Sequence, residues 1–147
     1  MKTAYSYYRH AESYGTVHLD YMQKKGIGTG VDHTYYDRGS AGKGELSVYR
    51  LQNPADGTTT WEGSWQQSLQ LNPELRIEMG TDYWLQPAEG SKDSEWELEP
   101  GIKLSKKGQG ESYTLEVSHW RSQDGGQTAE TEVDWMYRRR LGGLWQL

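Results

Sequence analysis

Cysteine and phenylalanine are both missing from this chain of 147 residues. Without cysteine there is no disulfide, no thiolate metal ligand and no cysteine nucleophile. No apolar run reaches about 18 residues, so a transmembrane helix is not expected. The first residues, MKTAYSYYRHAESYG, contain no apolar stretch, and we expect no signal peptide in them. Because no transmembrane helix is expected, this chain could cross a membrane only with β-strands.

Apolar residues are scarce as well, at 33% of the sequence with a mean hydropathy of −0.98. Such values are typical of disordered chains, but 7 Trp, 11 Tyr and a regular polar/apolar alternation favour a folded protein. The net charge of −5 weighs against a nucleic acid partner, because binding to phosphates requires clustered Lys and Arg. The length predicts a single domain over residues 1–147.

Apolar and polar residues alternate with period two in segments separated by turn residues, which is typical of β-strands. The connecting segments are short and rich in Gly, Pro, Asn and Asp, so neighbouring strands are expected to pair as antiparallel hairpins. The sequence therefore predicts an all-β fold, an antiparallel up-and-down meander closed into a β-barrel of about eight to ten strands. Strands are predicted at 4–10, 15–24, 27–37, 44–53, 58–71, 74–86, 93–105, 110–122 and 127–140.

The alternation sorts the side chains onto two faces. One face is apolar, with four polar exceptions: Arg50, Gln67, His119 and Arg121. The apolar face is defined by Val17, Leu19, Tyr21, Ile27, Val31, Tyr35, Leu46, Val48, Trp61, Trp65, Leu69, Leu71, Leu75, Ile77, Met79, Tyr83, Leu85, Trp96, Leu98, Ile102, Leu104, Tyr113, Leu115, Val117, Val133, Trp135 and Tyr137. The polar face is defined by His18, Asp20, Asp32, Thr34, Glu45, Ser47, Glu62, Ser64, Gln66, Arg76, Glu78, Asp82, Glu97, Glu99, Lys103, Thr114, Glu116, Ser118, Glu130, Glu132 and Asp134.

Two architectures fit these faces. A membrane barrel turns the apolar face toward lipid, carries Tyr and Trp near both rims and keeps polar side chains in its lumen. A water-soluble barrel, natural or designed, turns the apolar face inward, where it is packed or holds one small hydrophobic ligand. In the membrane barrel the residues expected to face the lumen and line a ligand path are His18, Asp20, Asp32, Glu62, Arg76, Glu78 and Asp82.

Residues 15–86 resemble the barrel of the lipopolysaccharide-assembly outer-membrane protein family, also called organic-solvent-tolerance proteins. The resemblance is carried by "VHLDYMQKKGIGTG", "GELSVYRL" and "SWQQSLQLNPELRIEMGTDYW", taken in that order. The matching residues are Leu19, Asp20, Tyr21, Lys24, Lys25, Gly26, Gly28, Gly30, Tyr35, Gly44, Glu45, Leu46, Tyr49, Leu51, Trp61, Ser64, Trp65, Gln66, Leu69, Leu75, Arg76, Asp82 and Tyr83.

The resemblance implies a bacterial outer-membrane location and a non-enzymatic role, either transport and insertion of lipopolysaccharide or scaffolding. Lipid or lipopolysaccharide is the implied partner. The full-length proteins of the family carry a periplasmic domain before the barrel and a partner lipoprotein in the lumen. This chain lacks that domain, so the resemblance describes a barrel segment or an engineered derivative, and the lipoprotein is expected only for the full-length family protein.

No motif in the sequence calls for a catalytic residue, a metal or a cofactor, and none is expected. "GIGTGV" lies within a strand pattern, whereas a phosphate-binding glycine loop lies between a strand and a helix. His18 and His33 fall on opposite faces, which disfavours a shared metal site. The many carboxylates of the polar face could support glycoside hydrolysis in principle, but any polar β-face offers such pairs. The run Arg138–Arg140 lies at a strand end, either solvated or against anionic lipid.

Overall fold

The structure, a computed structural model, describes residues 1–37, 41–55, 57–87, 94–123, 127–141 and 144–146. These residues form one antiparallel sheet of ten strands whose spatial order follows the chain from β1 to β10, so the predicted up-and-down meander is confirmed. The strands are β1 (Lys2–His10), β2 (Ser13–Met22), β3 (Gly26–Asp37), β4 (Gly42–Gln52), β5 (Thr59–Asn72), β6 (Leu75–Pro87), β7 (Ser94–Lys107), β8 (Glu111–Gln123), β9 (Gln127–Leu141) and β10 (Leu144–Gln146).

Nine of these strands match the nine predicted ones, and the three-residue β10 was not predicted. The boundaries shift by one or two residues in either direction. The strand predicted at 15–24 ends at Met22, because Lys25 N donates to Met22 O at 3.1 Å and Gly26 continues with φ +106°. The predicted turn residues at 38–40, 88–93 and 124–126 lie outside the described residues.

The strands end at two opposite sides of the sheet. We call edge I the side at which β1, β3, β5, β7 and β9 end, and edge II the side at which β2, β4, β6 and β8 end. In the part of the chain that the structure describes, β1 and β10 are each paired on one side, so closure of the sheet into a barrel stays a prediction.

The sheet has no hydrophobic core of its own among the described residues, where no hydrophobic side chain is buried. The buried polar residues are Ser13, Asp20 and Ser122, and they are small or lie close to glycines. The sheet is therefore held mainly by backbone ladders and by contacts between side chains on neighbouring strands.

No helix among the described residues is long and apolar enough to cross a membrane.

Candidate functional site: the polar face and its grooves

The register places all seven predicted site residues on one face of the sheet. His18 and Glu62 belong to one cross-strand row, since His18 pairs with Gly30, Gly30 with Tyr49 and Tyr49 with Glu62. Residues directly opposite each other in a ladder share a face. A second row brings Asp32 together with Asp82 through Ser47 and Ser64. Asp20, Arg76 and Glu78 lie on the same face, because each is an even number of residues along its strand from one of these rows.

Two grooves lie on the polar face, over its central and later strands. A groove of about 490 Å³ crosses β4 to β8, and a second groove of about 480 Å³ lies over β7 to β9. Small residues form the floor of the first groove, namely Ser68, Gly80, Gly101 and Ser118, while charged side chains form its walls. The polar face thus leaves room between its side chains for water or a hydrophilic ligand.

Ion pairs of alternating sign occupy the groove walls. Arg76 Nη2 lies 2.8 Å from Glu78 Oε1, and Lys103 Nζ lies 2.7 Å from Glu116 Oε2. Lys43 pairs with Glu45 on β4. All of these side chains keep a large part of their surface in solvent, so the pairs add little to stability. The pairs set the local charge pattern of the groove more than they stabilise the fold.

Asp32 is held by donors on two neighbouring strands. The Ser47 hydroxyl donates to Asp32 Oδ1 at 2.6 Å, and the His18 Nε2 atom lies 2.6 Å from Asp32 Oδ2. A serine is activated for nucleophilic attack when its hydroxyl donates to a histidine that an aspartate orients. Here both groups converge on the carboxylate instead, which indicates a structural network and not a catalytic triad.

Asp20 differs from the other six predicted site residues because it is buried, with 9% of its surface exposed. The Tyr49 hydroxyl donates to Asp20 Oδ2 at 3.1 Å. The Tyr49 ring lies over Gly28 and Gly30, where a Cβ atom would overlap it. The glycines of the "GIGTG" motif therefore provide room for an aromatic ring that reaches across from β4. Alternation in the sequence predicts the face on which these residues lie, but it does not show this contact.

The opposite face exposes its hydrophobic side chains. Leu19 is 51% exposed, Ile102 47% and Val133 61%. A soluble barrel of the kind considered above would bury these positions together. The described residues show no such packing, because Val17 and Leu115 are also exposed.

Some aromatic residues on the apolar face form two rows, while others, such as Trp65 opposite Thr81, lie between them. Trp61 and Trp96 flank Leu85 in a row near edge II, and Tyr113 pairs with Tyr137 in the row of Leu75 near edge I. The rows are ten residues apart along β6 (85 − 75 = 10). Ten residues span about 33 Å along a strand. For strands tilted by about 40° from a barrel axis, this is about 25 Å along that axis. Membrane barrels carry an apolar band of about this height between two aromatic girdles.

Hydrogen bonds satisfy the polar atoms of the aromatic rings. Tyr113 and Tyr137 both donate to the Glu111 carboxylate, at 2.9 and 3.2 Å, and Trp65 Nε1 donates to Tyr35 Oη at 3.0 Å. A ring with one polar atom and an apolar body suits a boundary between water and an apolar phase.

Comparison with known proteins found no matching family model, no similar curated protein and no similar solved structure. The lipopolysaccharide-assembly likeness therefore rests on the sequence motifs alone.

The contacts of the site depend on register, which alternation does not give. The Asp20–Tyr49 bond and the ring over Gly28 join residues on β2, β3 and β4. Among the described residues no cluster of three or more His, Asp or Glu could hold a metal ion.

Proposed function

We propose that this chain forms the wall of a bacterial outer-membrane β-barrel with a non-enzymatic role in lipopolysaccharide transport and insertion, or as a scaffold for it. The apolar face contacts the hydrocarbon of the bilayer. The polar face lines a hydrated lumen that gives the glycan of lipopolysaccharide a path.

One observation carries the membrane part of this proposal: large hydrophobic side chains stay exposed on one face of the sheet, while the grooves lie among the polar side chains of the other face. In water, each Å² of apolar surface left exposed forgoes about 25 cal/mol of stabilising free energy. A water-soluble sheet would therefore turn this face inward. In a bilayer the same face is solvated by lipid chains.

Strand length supports the same assignment. Strands β2 to β9 have 10 to 15 residues each, whereas strands in soluble sheets usually have about five or six. A tilted membrane strand needs about 9–11 residues to cross the hydrocarbon layer.

The chemistry of the polar groove supports a glycan path. Carboxylates, amines and hydroxyls alternate along its walls and floor, and these groups exchange hydrogen bonds with sugar hydroxyls and with water at similar cost. The small floor residues Gly80 and Gly101 face each other across β6 and β7 and keep the groove open. The lipopolysaccharide assignment itself comes from the sequence likeness over residues 15–86.

A pair of arginine substitutions on adjacent residues of β8 tests which face meets lipid. Val117 lies on the apolar face near the middle of the band, and Ser118 lies on the polar face at the groove floor. We expect Val117→Arg to destabilise the chain folded into phosphatidylcholine vesicles by about 2–4 kcal/mol and Ser118→Arg to cost far less. The measurement is urea unfolding of the chain in vesicles, monitored by circular dichroism. Val117→Leu is the control for a larger side chain without a charge.

The opposite ranking would contradict the proposal. If Ser118→Arg were the more damaging change and the unsubstituted chain stayed folded and monomeric in plain buffer, the water-soluble barrel would be the better description.

A further inference from the structure

Two arginines on the apolar face lie over tryptophan rings. The guanidinium carbon of Arg50 is 5.5 Å from the ring centroid of Trp61, and that of Arg121 is 5.7 Å from the centroid of Trp96. A guanidinium within about 6 Å of an aromatic ring is attracted to the ring face. Each stacked pair presents a flat, fixed cation on an otherwise apolar surface.

The two pairs occupy matching positions relative to the ends of their strands. Arg50 lies two residues before the end of β4 at Gln52, and Arg121 two residues before the end of β8 at Gln123. In the same way, Trp61 lies two residues after the start of β5, and Trp96 two residues after the start of β7. Arg50, Trp61, Leu85 and Trp96 follow one another in a single cross-strand row, and Arg121 joins it diagonally. We call these five residues the Arg/Trp row. Two residues correspond to about 7 Å of strand, which places the row just inside one rim.

Neither guanidinium has a carboxylate partner in the part of the chain that the structure describes. Arg50 donates from Nη2 to Gln52 Oε1 at 3.2 Å, while its Nε is buried without a hydrogen-bond partner. By contrast, Arg139, on the same face near edge I, lies 3.6 Å from the Glu111 carboxylate. No acidic side chain of the described residues neutralises the Arg50 guanidinium, so an external anion would be stabilised there.

From these contacts we infer that the Arg/Trp row binds the headgroup phosphates of anionic lipids, one at Arg50 and one at Arg121. This inference rests on the proposed placement of the apolar face in lipid. Guanidinium groups bind phosphate oxygens through two parallel hydrogen bonds, and tryptophan rings favour the headgroup level of a bilayer. The arginines lie four strands apart, about 19 Å at about 4.8 Å a strand, which is too far for one phosphate to bridge them. Each arginine therefore holds its own lipid.

Quenching of tryptophan fluorescence by brominated lipids tests the inference. The chain is folded into phosphatidylcholine vesicles that contain either brominated phosphatidylglycerol or brominated phosphatidylcholine, at equal fractions and low salt. We expect phosphatidylglycerol to be preferred near the tryptophans by about fivefold, the factor for one cationic side chain at an anionic surface. In the double variant Arg50→Gln, Arg121→Gln the preference should fall to about one.

Matched variants separate charge from folding. Arg50→Lys with Arg121→Lys keeps both charges and should keep most of the preference. Arg139→Gln removes an arginine of the same face that already has a carboxylate partner, and it should leave the preference unchanged. Gel mobility and circular dichroism confirm that each variant is folded in the vesicles.

The possible outcomes are distinguishable. If the unsubstituted chain and the double glutamine variant showed the same preference for phosphatidylglycerol, the inference would be overturned, while the proposed function would be unaffected. Loss of the preference on adding inorganic phosphate at constant ionic strength would mean a site for free phosphate, and would also overturn it. If neither brominated lipid quenched the tryptophans, the membrane placement in the proposed function would fail first, and the inference with it.

Discussion

Tyr49 shows how single side chains link three strands of a sheet that lacks a buried hydrophobic core. Its ring covers Gly28 and Gly30 on β3, and its hydroxyl reaches Asp20 on β2. The buried Asp20 carboxylate needs this donor, because a buried polar group without a partner is costly. The same pattern recurs at Gly44, where a Cβ atom would overlap the ring of Tyr35.

Gly28→Ala tests this arrangement at the residue scale. The new methyl group would overlap the Tyr49 hydroxyl, so the ring must move and its hydrogen bond to Asp20 must weaken. We expect a loss of about 1–3 kcal/mol in the free energy of unfolding, the usual range for overpacking. The measurement is urea unfolding in detergent micelles.

Gly63→Ala is the matched control for that experiment. Gly63 is also a strand glycine, but a Cβ there would make only an ordinary contact of 3.6 Å with Ser47 O. An equal loss for both substitutions would show that the strand glycines act through the backbone and not through room for a ring.

At the scale of elements, the connection between β5 and β6 depends on one side chain. Asn72 Oδ1 accepts hydrogen bonds from the backbone N atoms of Glu74 and Leu75, both at 2.9 Å. The ladder shifts register between Gln70 and Asn72, so this residue ends one strand and fixes where the next begins. An Asn side chain that bonds to the backbone a few residues ahead is a common way to close such a turn.

Asn72→Ala removes the acceptor from this turn. We expect a loss of about 1 kcal/mol, comparable to the loss of a helix cap, because two backbone donors are left to water. The readout is the urea midpoint in micelles. Asn72→Asp keeps an oxygen in the same place and should retain most of the stability; an Asp variant as unstable as the Ala variant would contradict this explanation.

The strands and their faces could be predicted from the sequence because a side-chain period of two leaves few alternatives. Every predicted site residue from His18 to Asp82 lies on the predicted face. The contacts could not be predicted in the same way. Trp61 meets Arg50 only because the 53–58 connection sets Gln52 opposite Thr59, and alternation alone does not fix that offset. The short β10 strand, of three residues, is below the length at which alternation is informative.

On the scale of the whole molecule, the proposed function predicts which face each part of lipopolysaccharide would contact. Lipopolysaccharide joins a glycan to acyl chains, and the two parts should contact opposite faces. A photo-crosslinking residue at Ser118 should form adducts through the glycan of lipopolysaccharide added to vesicles, while the same residue at Val117 should form adducts through acyl chains. Mass spectrometry of the crosslinked peptides locates the bond. Glycan adducts at Val117 would count against the proposed path.

The spacing of the Trp61–Trp96 and Tyr113–Tyr137 rows also has a consequence for sorting among membranes. If the two rows are the girdles of the proposed membrane barrel, their separation of about 25 Å matches the thin bilayers of bacterial outer membranes better than thicker, sterol-rich ones, where the mismatch costs a fraction of a kcal/mol for each Å. In a thick bilayer the chain would have to stand more upright or thin the lipid around it, so its insertion should slow as acyl chains are lengthened.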